Sequence, residues 1–336
     1  MFGAITPLTS VRSTQAMADT NDLFCLAALA RMGHLRLTEL ARAAFPLASA
    51  ESGQSSAERC IKRLLARAHI ERRRNCMGTW SYVLLLGGVA RLLRVGIAAQ
   101  VQDKLSVWSP QFLHQMFTAR YLLERTAVDG AEVWGGYAIG HGMTPVSLKD
   151  LKRFKKIPDG WIAPRHSGSE SGAGRGAVSV LDWVEGENRS KNKLETLRVL
   201  QTAVHSGEWL DAQQTIKLGR VVIVYSGKQG HEDALCRGIA TLLGERPELN
   251  EAALLEALIF VRCDVDLGLR WRSCEELTGS TVYARYLARQ TQKNGGRPAW
   301  RPDPRHTRVI TEEQRRREED EYLEDLARRR KKFGPH

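Results

Sequence analysis

The apolar positions of this chain change period along its length, and each change marks an element. Leu23, Leu26, Ala27 and Ala30 recur at helical spacing after Asp22, and Gly33 follows where a left-handed cap would end the helix. Thr38 stands as an N-cap before a second helix, Glu39 to Phe45, stopped near Pro46. After a Ser/Gly-rich loop, Ser55 or Ser56 opens a third helix whose apolar stripe is Cys60, Ile61, Leu64, Leu65 and Ala68. Ile70 to Arg74, a turn at Asn75 to Gly78, and Thr79 to Leu84 read as strand, turn and returning strand, before Gly87-Gly88 and another helix. This order predicts a winged helix-turn-helix over residues 21–100, behind a flexible N-terminus at 1–20.

From Ser106 to Arg125 the pattern is helical again, with Phe112, Leu113, Met116, Phe117, Tyr121 and Leu122 on a broad apolar face. Residues 101–145 read as a helical connector. Gly135 to Gly142 is glycine-rich without a visible strand-to-helix context, so no phosphate cradle is expected there. Strand-like runs at Val178 to Val184, Arg220 to Tyr225 and Leu258 to Arg262 alternate with helical stretches after Lys193, from His231 to Leu243 and from Glu251 to Glu256. Such alternation predicts a mixed-sheet α/β domain over residues 146–290, and an α+β protein overall. His166 to Gly176 reads as a long flexible hairpin tip, and residues 291–336 as a linker followed by a charged helix or tail.

At 336 residues the chain is long enough for two domains with tails. Its 50 Lys+Arg against 38 Asp+Glu give a formal charge of +12, which favours polyanions, nucleic acid first. A membrane partner is not expected, because no apolar stretch is long enough to span one. Met1 to Asp19 lacks the pattern of a secretory signal, so the expected compartment is the cytoplasm. Six cysteines are scattered without a C-x-x-C pair, which argues against a zinc site or a disulfide framework and for buried, reduced thiols.

The charges fall on the predicted elements in a telling way. The third helix carries Arg59, Lys62, Arg63 and Arg67 opposite its apolar stripe, and the hairpin carries Arg72, Arg73 and Arg74. A basic helix suits the major groove, and a basic hairpin suits phosphates or the adjacent minor groove. In the second half, Pro158-Asp159-Gly160 precedes a strand ending in Glu185-Gly186-Glu187. Residues two apart on a strand share a face, and Asp159 joins Glu185 and Glu187 if it lies on the neighbouring strand. Convergent carboxylates of this kind suit Mg²⁺ or Mn²⁺. Lys152, Lys155 and Lys156 precede Asp159 as a basic ridge for a substrate backbone, and Lys191 follows Glu187 at the head of the next helix. No nucleotide cofactor is expected: Ser226-Gly227-Lys228 lacks the first glycine of a P-loop, and Gln229 stands where the hydroxyl residue would be.

Taken together, the winged-helix pattern, Pro158-Asp159-Gly160, the strand with Glu185 and Glu187, and the following lysines resemble the replication-relaxation family of plasmids and integrative elements. The second half also resembles the PD-(D/E)XK nuclease-like core, a helix and strands followed by a helix and a further strand. That resemblance implies Asp159 and Glu185 as ligands of Mg²⁺ or Mn²⁺, and a catalytic set of Asp159, Glu185, Glu187 and Lys191. Glu187 occupies the place usually held by lysine, which helps to stabilise developing charge, and Lys191 or Lys193 would restore that charge. The function so implied is a DNA-binding protein of a mobile element, in replication, relaxation or conjugative mobilisation, with an active or a degenerate nuclease-like domain. A relaxase or another transfer protein is an implied partner for the C-terminal tail. Two other readings stand beside it: a metal-dependent endonuclease of defence or DNA processing, and a winged-helix transcriptional regulator with an α/β dimerisation domain.

Overall fold

The computed structural model describes residues 14–102, 110–164, 179–187, 193–227, 229–265 and 271–293. They form an α+β protein with a three-stranded antiparallel sheet and a six-stranded mixed sheet.

The N-terminal elements are α1 (Thr14–Met32), β1 (His34–Arg36), α2 (Leu37–Ala44), α3 (Ala50–Ala66), β2 (Ile70–Arg74), β3 (Trp80–Leu84) and α4 (Leu86–Leu93). The small sheet has the order β1-β3-β2, with His34 opposite Val83 and Ile70 opposite Leu84. Asn75 closes the β2–β3 turn through its side chain, which bonds Thr79 and Ser81, and Gly78 adopts φ +73°, where a Cβ would be strained. Gly33 ends α1 at φ +81° as the sequence predicts, and Tyr137 packs so close to it that a Cβ would collide with the ring.

Three boundaries differ from the sequence reading, each for a local reason. Helix α1 begins at Thr14, within the stretch expected to be flexible, because Gln15 bonds Asp19 one turn on, and Asp19 and Asp22 together hold Arg91, Arg67 and Arg63. Helix α2 starts at Leu37 because the Glu39 carboxylate accepts the Arg36 backbone N–H at 2.8 Å, so Thr38 is not the cap. Helix α3 begins at Ala50 with Ser49 as its N-cap, which places the Ser/Gly-rich segment inside the helix. Gly53 there is buried beside Phe45 and Ala48.

The larger sheet has the order β4-β5-β6-β7-β8-β9. Its strands are β4 (Glu132–Gly135), β5 (Gly160–Ala163), β6 (Ser179–Glu187), β7 (Ile216–Ser226), β8 (Leu258–Val265) and β9 (Trp271–Thr278). β4, β5 and β6 pair antiparallel, β7 pairs parallel with β8, and β8 pairs antiparallel with β9. The helices of this half are α5 (Pro110–Asp129), α6 (Gly136–Gly140), α7 (Leu148–Leu151), α8 (Lys193–Ala203), α9 (Gln229–Glu245), α10 (Glu251–Glu256) and α11 (Gly279–Lys293), with a 3₁₀ turn at Lys152–Phe154. The segment read as a connector therefore contributes a strand and a covering helix to the sheet. The glycine run straddles the end of β4 and the short α6, a strand-to-helix context that the sequence did not reveal.

The chain gathers into two compact units, whose division differs from the boundaries read in the sequence. The first holds the described residues from Thr14 to Gly186 together with Trp209–Leu218. Within it the elements from α1 to β3 are joined to α5 and the β4–β5–β6 meander: Arg31 pairs with Glu132 at 2.7 Å, Arg42 with Glu124 at 3.0 Å, and the His34 ring stacks on Phe112 of α5 with centroids 4.5 Å apart. The second unit holds the described residues of 187–208 and of 219–293. Its core is the parallel pair, with Val221 to Tyr225 and Leu258 to Val261 buried, and α8 packs against Gly238 of α9. Tyr225 Oη donates to Glu232 Oε2 at 3.0 Å, and Arg289 of α11 bonds both Glu232 and Asp233, so the buried Glu232 is neutralised within its own unit. Among the described residues, no helix is long and apolar enough to cross a membrane.

Candidate nucleic-acid interface and the acidic strand pair

The basic residues of α3 divide into two groups. Arg63 turns inward: its Nη2 lies 2.6 Å from Oδ1 of Asp22, a carboxylate with 0% exposure, and its Nε adds a 3.1 Å bond. Arg67 and Arg91 reach the same carboxylate at 3.5 and 3.6 Å. The Asp22 bond, ahead of the other influences, raises the Arg63 pKa above its ordinary value. Arg63 therefore fastens α3 to α1, and Arg67 shares that duty. Arg59, one turn nearer the helix start, and Lys62, the residue before Arg63, are exposed, as are Ser52, Ser55 and Glu58. On the hairpin, Arg73 pairs with Glu71, whereas Arg72 and Arg74 are exposed. The Arg72 guanidinium sits 4.8 Å over the Trp80 ring, which is itself 44% exposed. The exposed cations of α3 and the hairpin thus include Arg59, Lys62, Arg72 and Arg74, with Trp80 opening β3 opposite Arg74.

The acidic pair of the second sheet stands where β5 and β6 begin and end. Gly160 opposite Val184 is the outermost paired position, and Asp159 lies one step beyond it, across from Glu185. The ladder breaks there, because the Asp159 N–H donates to Val184 O at 3.0 Å. The Asp159 carboxylate then accepts the Gly186 N–H at 2.9 Å through Oδ2, and the same oxygen lies 2.9 Å from His114 Nε2 of α5. Gly186 is required at this point: a Cβ would fall inside the radius of Thr118 Oγ1 and 3.3 Å from His114 Cε1.

Glu185 faces different company. The Trp183 indole N–H donates to its Oε1 at 2.7 Å, and Lys156 Nζ lies 2.9 Å from its Oε2. Trp183 in turn packs edge-on against Trp161 and Phe154, with centroids 5.3 and 5.5 Å away. Asp159 and Glu185 are neighbours in the backbone, yet one carboxylate is drawn to α5 and the other to the tryptophan side of β6. Lys156, read in the sequence as part of a substrate-binding ridge, is instead the counter-ion of a buried glutamate. Lys152 and Lys155 remain exposed beside it. Glu187 is buried at the end of β6, and Lys191, like the tail expected to meet a relaxase, lies outside the described residues.

This donor set does not fit a divalent cation as it stands. Both Glu185 oxygens hold donors from the protein, one of them a cation, and the Asp159 oxygen Oδ2 holds two more. Among the described residues, no three of His, Cys, Asp and Glu are grouped so as to hold a metal. His114 and Lys156 are the members of the site that sequence reasoning missed or misassigned. The helix itself was legible in the apolar stripe of α5, but that it faces Gly186 and sets His114 against Asp159 was not.

Compared with protein-family models, with curated proteins and with solved structures, the chain matches none of them.

Proposed function

We propose that this chain is a duplex-DNA-binding protein of a mobile genetic element, acting in replication, relaxation or mobilisation, and that it holds DNA without cutting it. The observation that carries the reading is the outward face of α3 and the β2–β3 hairpin, with Arg59, Lys62, Arg72 and Arg74 exposed. The order α1-β1-α2-α3-β2-β3, with β3 central in its sheet, supports a winged helix-turn-helix. In such a unit α3 enters the major groove, and the hairpin arginines meet phosphates or the minor groove. Trp80, half exposed under Arg72, gives the hairpin a flat apolar surface against sugars.

The run α5, β4, β5, β6, α8, β7 supports a PD-(D/E)XK nuclease-like core, in which Asp159 and Glu185 take the acidic places. The contact of Asp159 with His114 and the ion pair of Glu185 with Lys156 favour a retired site. Glu185, buried and already paired with Lys156, would have to release that lysine before the oxygen could bind a metal ion, and breaking a buried pair is costly. The mobile-element role rests on the resemblance carried by the same motifs.

Incubating the purified chain with supercoiled plasmid, in Mg²⁺, Mn²⁺ or EDTA and beside Asp159→Ala, tests both halves. Retarded but intact plasmid in every condition is the expected result. Metal-dependent nicking that disappears in Asp159→Ala would overturn the non-cleaving reading, and unretarded plasmid would overturn DNA binding.

A further inference from the structure

Cys263 on β8 and Cys274 on β9 are direct partners across an antiparallel ladder. The carbonyl of Cys263 accepts the Gly227 N–H at 2.8 Å, from the β7 side. Because a strand residue turns its N–H and C=O the same way, Cys263 turns both away from β9. The two cysteines therefore occupy a non-hydrogen-bonded pair, the position where antiparallel Cα atoms come to about 4.5 Å and side chains are closest. That separation lies within the roughly 4.4–6.8 Å that a disulfide spans.

The thiols differ in access. Cys263 is buried, and its Sγ also approaches Val261 O at 3.8 Å, whereas Cys274 is exposed. Contact with the Cys274 sulfur, and then burial, raise the Cys263 pKa far above the ordinary thiol range, so it holds its proton beside its partner. Cys25 of α1 and Cys60 of α3 also touch through their thiols, but both are buried in the helical core, out of reach of a dissolved oxidant. Exposure of one member distinguishes the strand pair.

We propose that Cys263 and Cys274 form an oxidisable dithiol, a modification site at which a low-molecular-weight disulfide converts the pair to a cross-strand disulfide between β8 and β9. The Cys274 thiolate attacks one sulfur of the reagent R–S–S–R, forming a mixed disulfide and releasing one R–S⁻, which takes up the proton that Cys274 lost. The Cys263 sulfur then attacks Cys274 Sγ and expels the second R–S⁻, which takes the Cys263 proton. Two protein thiols are oxidised, one reagent disulfide is reduced to two thiols, and no other oxidant is needed. β9 is the last strand of the sheet and carries Glu275, which pairs with Arg262 of β8 and with Arg285 of α11. The new bond would fasten that edge covalently.

The test treats the full chain, natively folded, with glutathione disulfide, and then reads intact mass and an alkylation map of all six cysteines. The expected product has lost about 2 Da, the mass of two hydrogens, with Cys263 and Cys274 joined, Cys25 and Cys60 still thiols, and full reversal by dithiothreitol. Cys263→Ser should stop at a glutathione adduct on Cys274, and Cys274→Ser, altered at an exposed position, should give no joined peptide. A wild-type chain that keeps the adduct on Cys274 unresolved, or leaves Cys274 an unmodified thiol, would overturn the proposal. Neither result bears on DNA binding.

Discussion

Lys156 Nζ lies 2.9 Å from Glu185 Oε2, joining the residue two before Pro158 to the end of β6 in a buried ion pair. Glu185 is fully buried, so the pair fixes the segment that leads into β5 against its neighbour. It also brings a cation to Glu185, two residues from the end of β6.

Removing that cation should leave a fully buried carboxylate that keeps the Trp183 indole N–H at Oε1 but has lost its lysine. Lys156→Ala is therefore expected to lose about 3 kcal/mol of stability, the usual cost of breaking a buried pair from one side. Adding Glu185→Gln, which keeps an acceptor for Trp183, should recover about half of it. Urea denaturation of the two singles and the double variant measures the coupling. Independent, additive losses would show that the pair is not a structural tie.

Arg63 and Lys62 are adjacent in sequence and opposite in duty. Arg63→Ala should destabilise the chain by roughly 2–3 kcal/mol, since Asp22 is fully buried and Arg67 and Arg91 stand farther off. Lys62→Ala should change stability by no more than about 0.5 kcal/mol while weakening binding to DNA. Thermal melts and DNA titrations on the same preparations separate the two effects. Weakened binding by Arg63→Ala at unchanged stability would reverse the assignment.

Gly186→Ala should be poorly tolerated, because its methyl group would press on Thr118 Oγ1 and His114 in α5. A loss of about 1–3 kcal/mol is expected for such overpacking, with part of it regained when Thr118→Ala is added. An unchanged melting temperature for Gly186→Ala would mean that α5 and β6 are less closely apposed than described.

His34 is wholly buried in β1, and burial first, then Arg36, pushes its pKa down to about 3 from an ordinary 6.5. The unfolded chain takes up a proton near pH 6.5 and the folded one does not until about pH 3, so the contribution is full above 6.5 and is lost as pH falls. Lowering the pH from about 6.5 to about 5 should cost roughly 2 kcal/mol at this one residue. The difference between wild type and His34→Leu, followed by urea denaturation across that window, isolates it. Parallel curves for the two proteins would remove His34 from the acid response.

Much of the architecture was legible in the sequence, and the residues explain where legibility stopped. The α3 stripe, the arginine hairpin and Gly33 gave the N-terminal elements because helix period, strand propensity and positive φ are local properties. β1 is three residues long, and its side chains face α5 and the hairpin, so no period could announce it. β9 and α11 were missed as well, since the charged β9 pattern lacks the apolar alternation of a half-buried strand. At the acidic site, the sequence brought Asp159 to Glu185 only on the condition that Pro158-Asp159-Gly160 lay on the neighbouring strand; Asp159 stands one residue before β5, and the direction of its carboxylate depends on a break in the ladder and on His114 of α5. Charge alone likewise could not separate Arg63, bound to Asp22, from Lys62, facing solvent.

The central claim is tested most directly by fluorescence anisotropy of a labelled DNA duplex across a range of salt concentrations, for the wild type and for Arg59→Ala/Lys62→Ala/Arg74→Ala. The account predicts weaker binding and a salt dependence shallower by about 0.9 in log–log slope for each phosphate contact removed. Unchanged affinity and slope in the triple variant would contradict it.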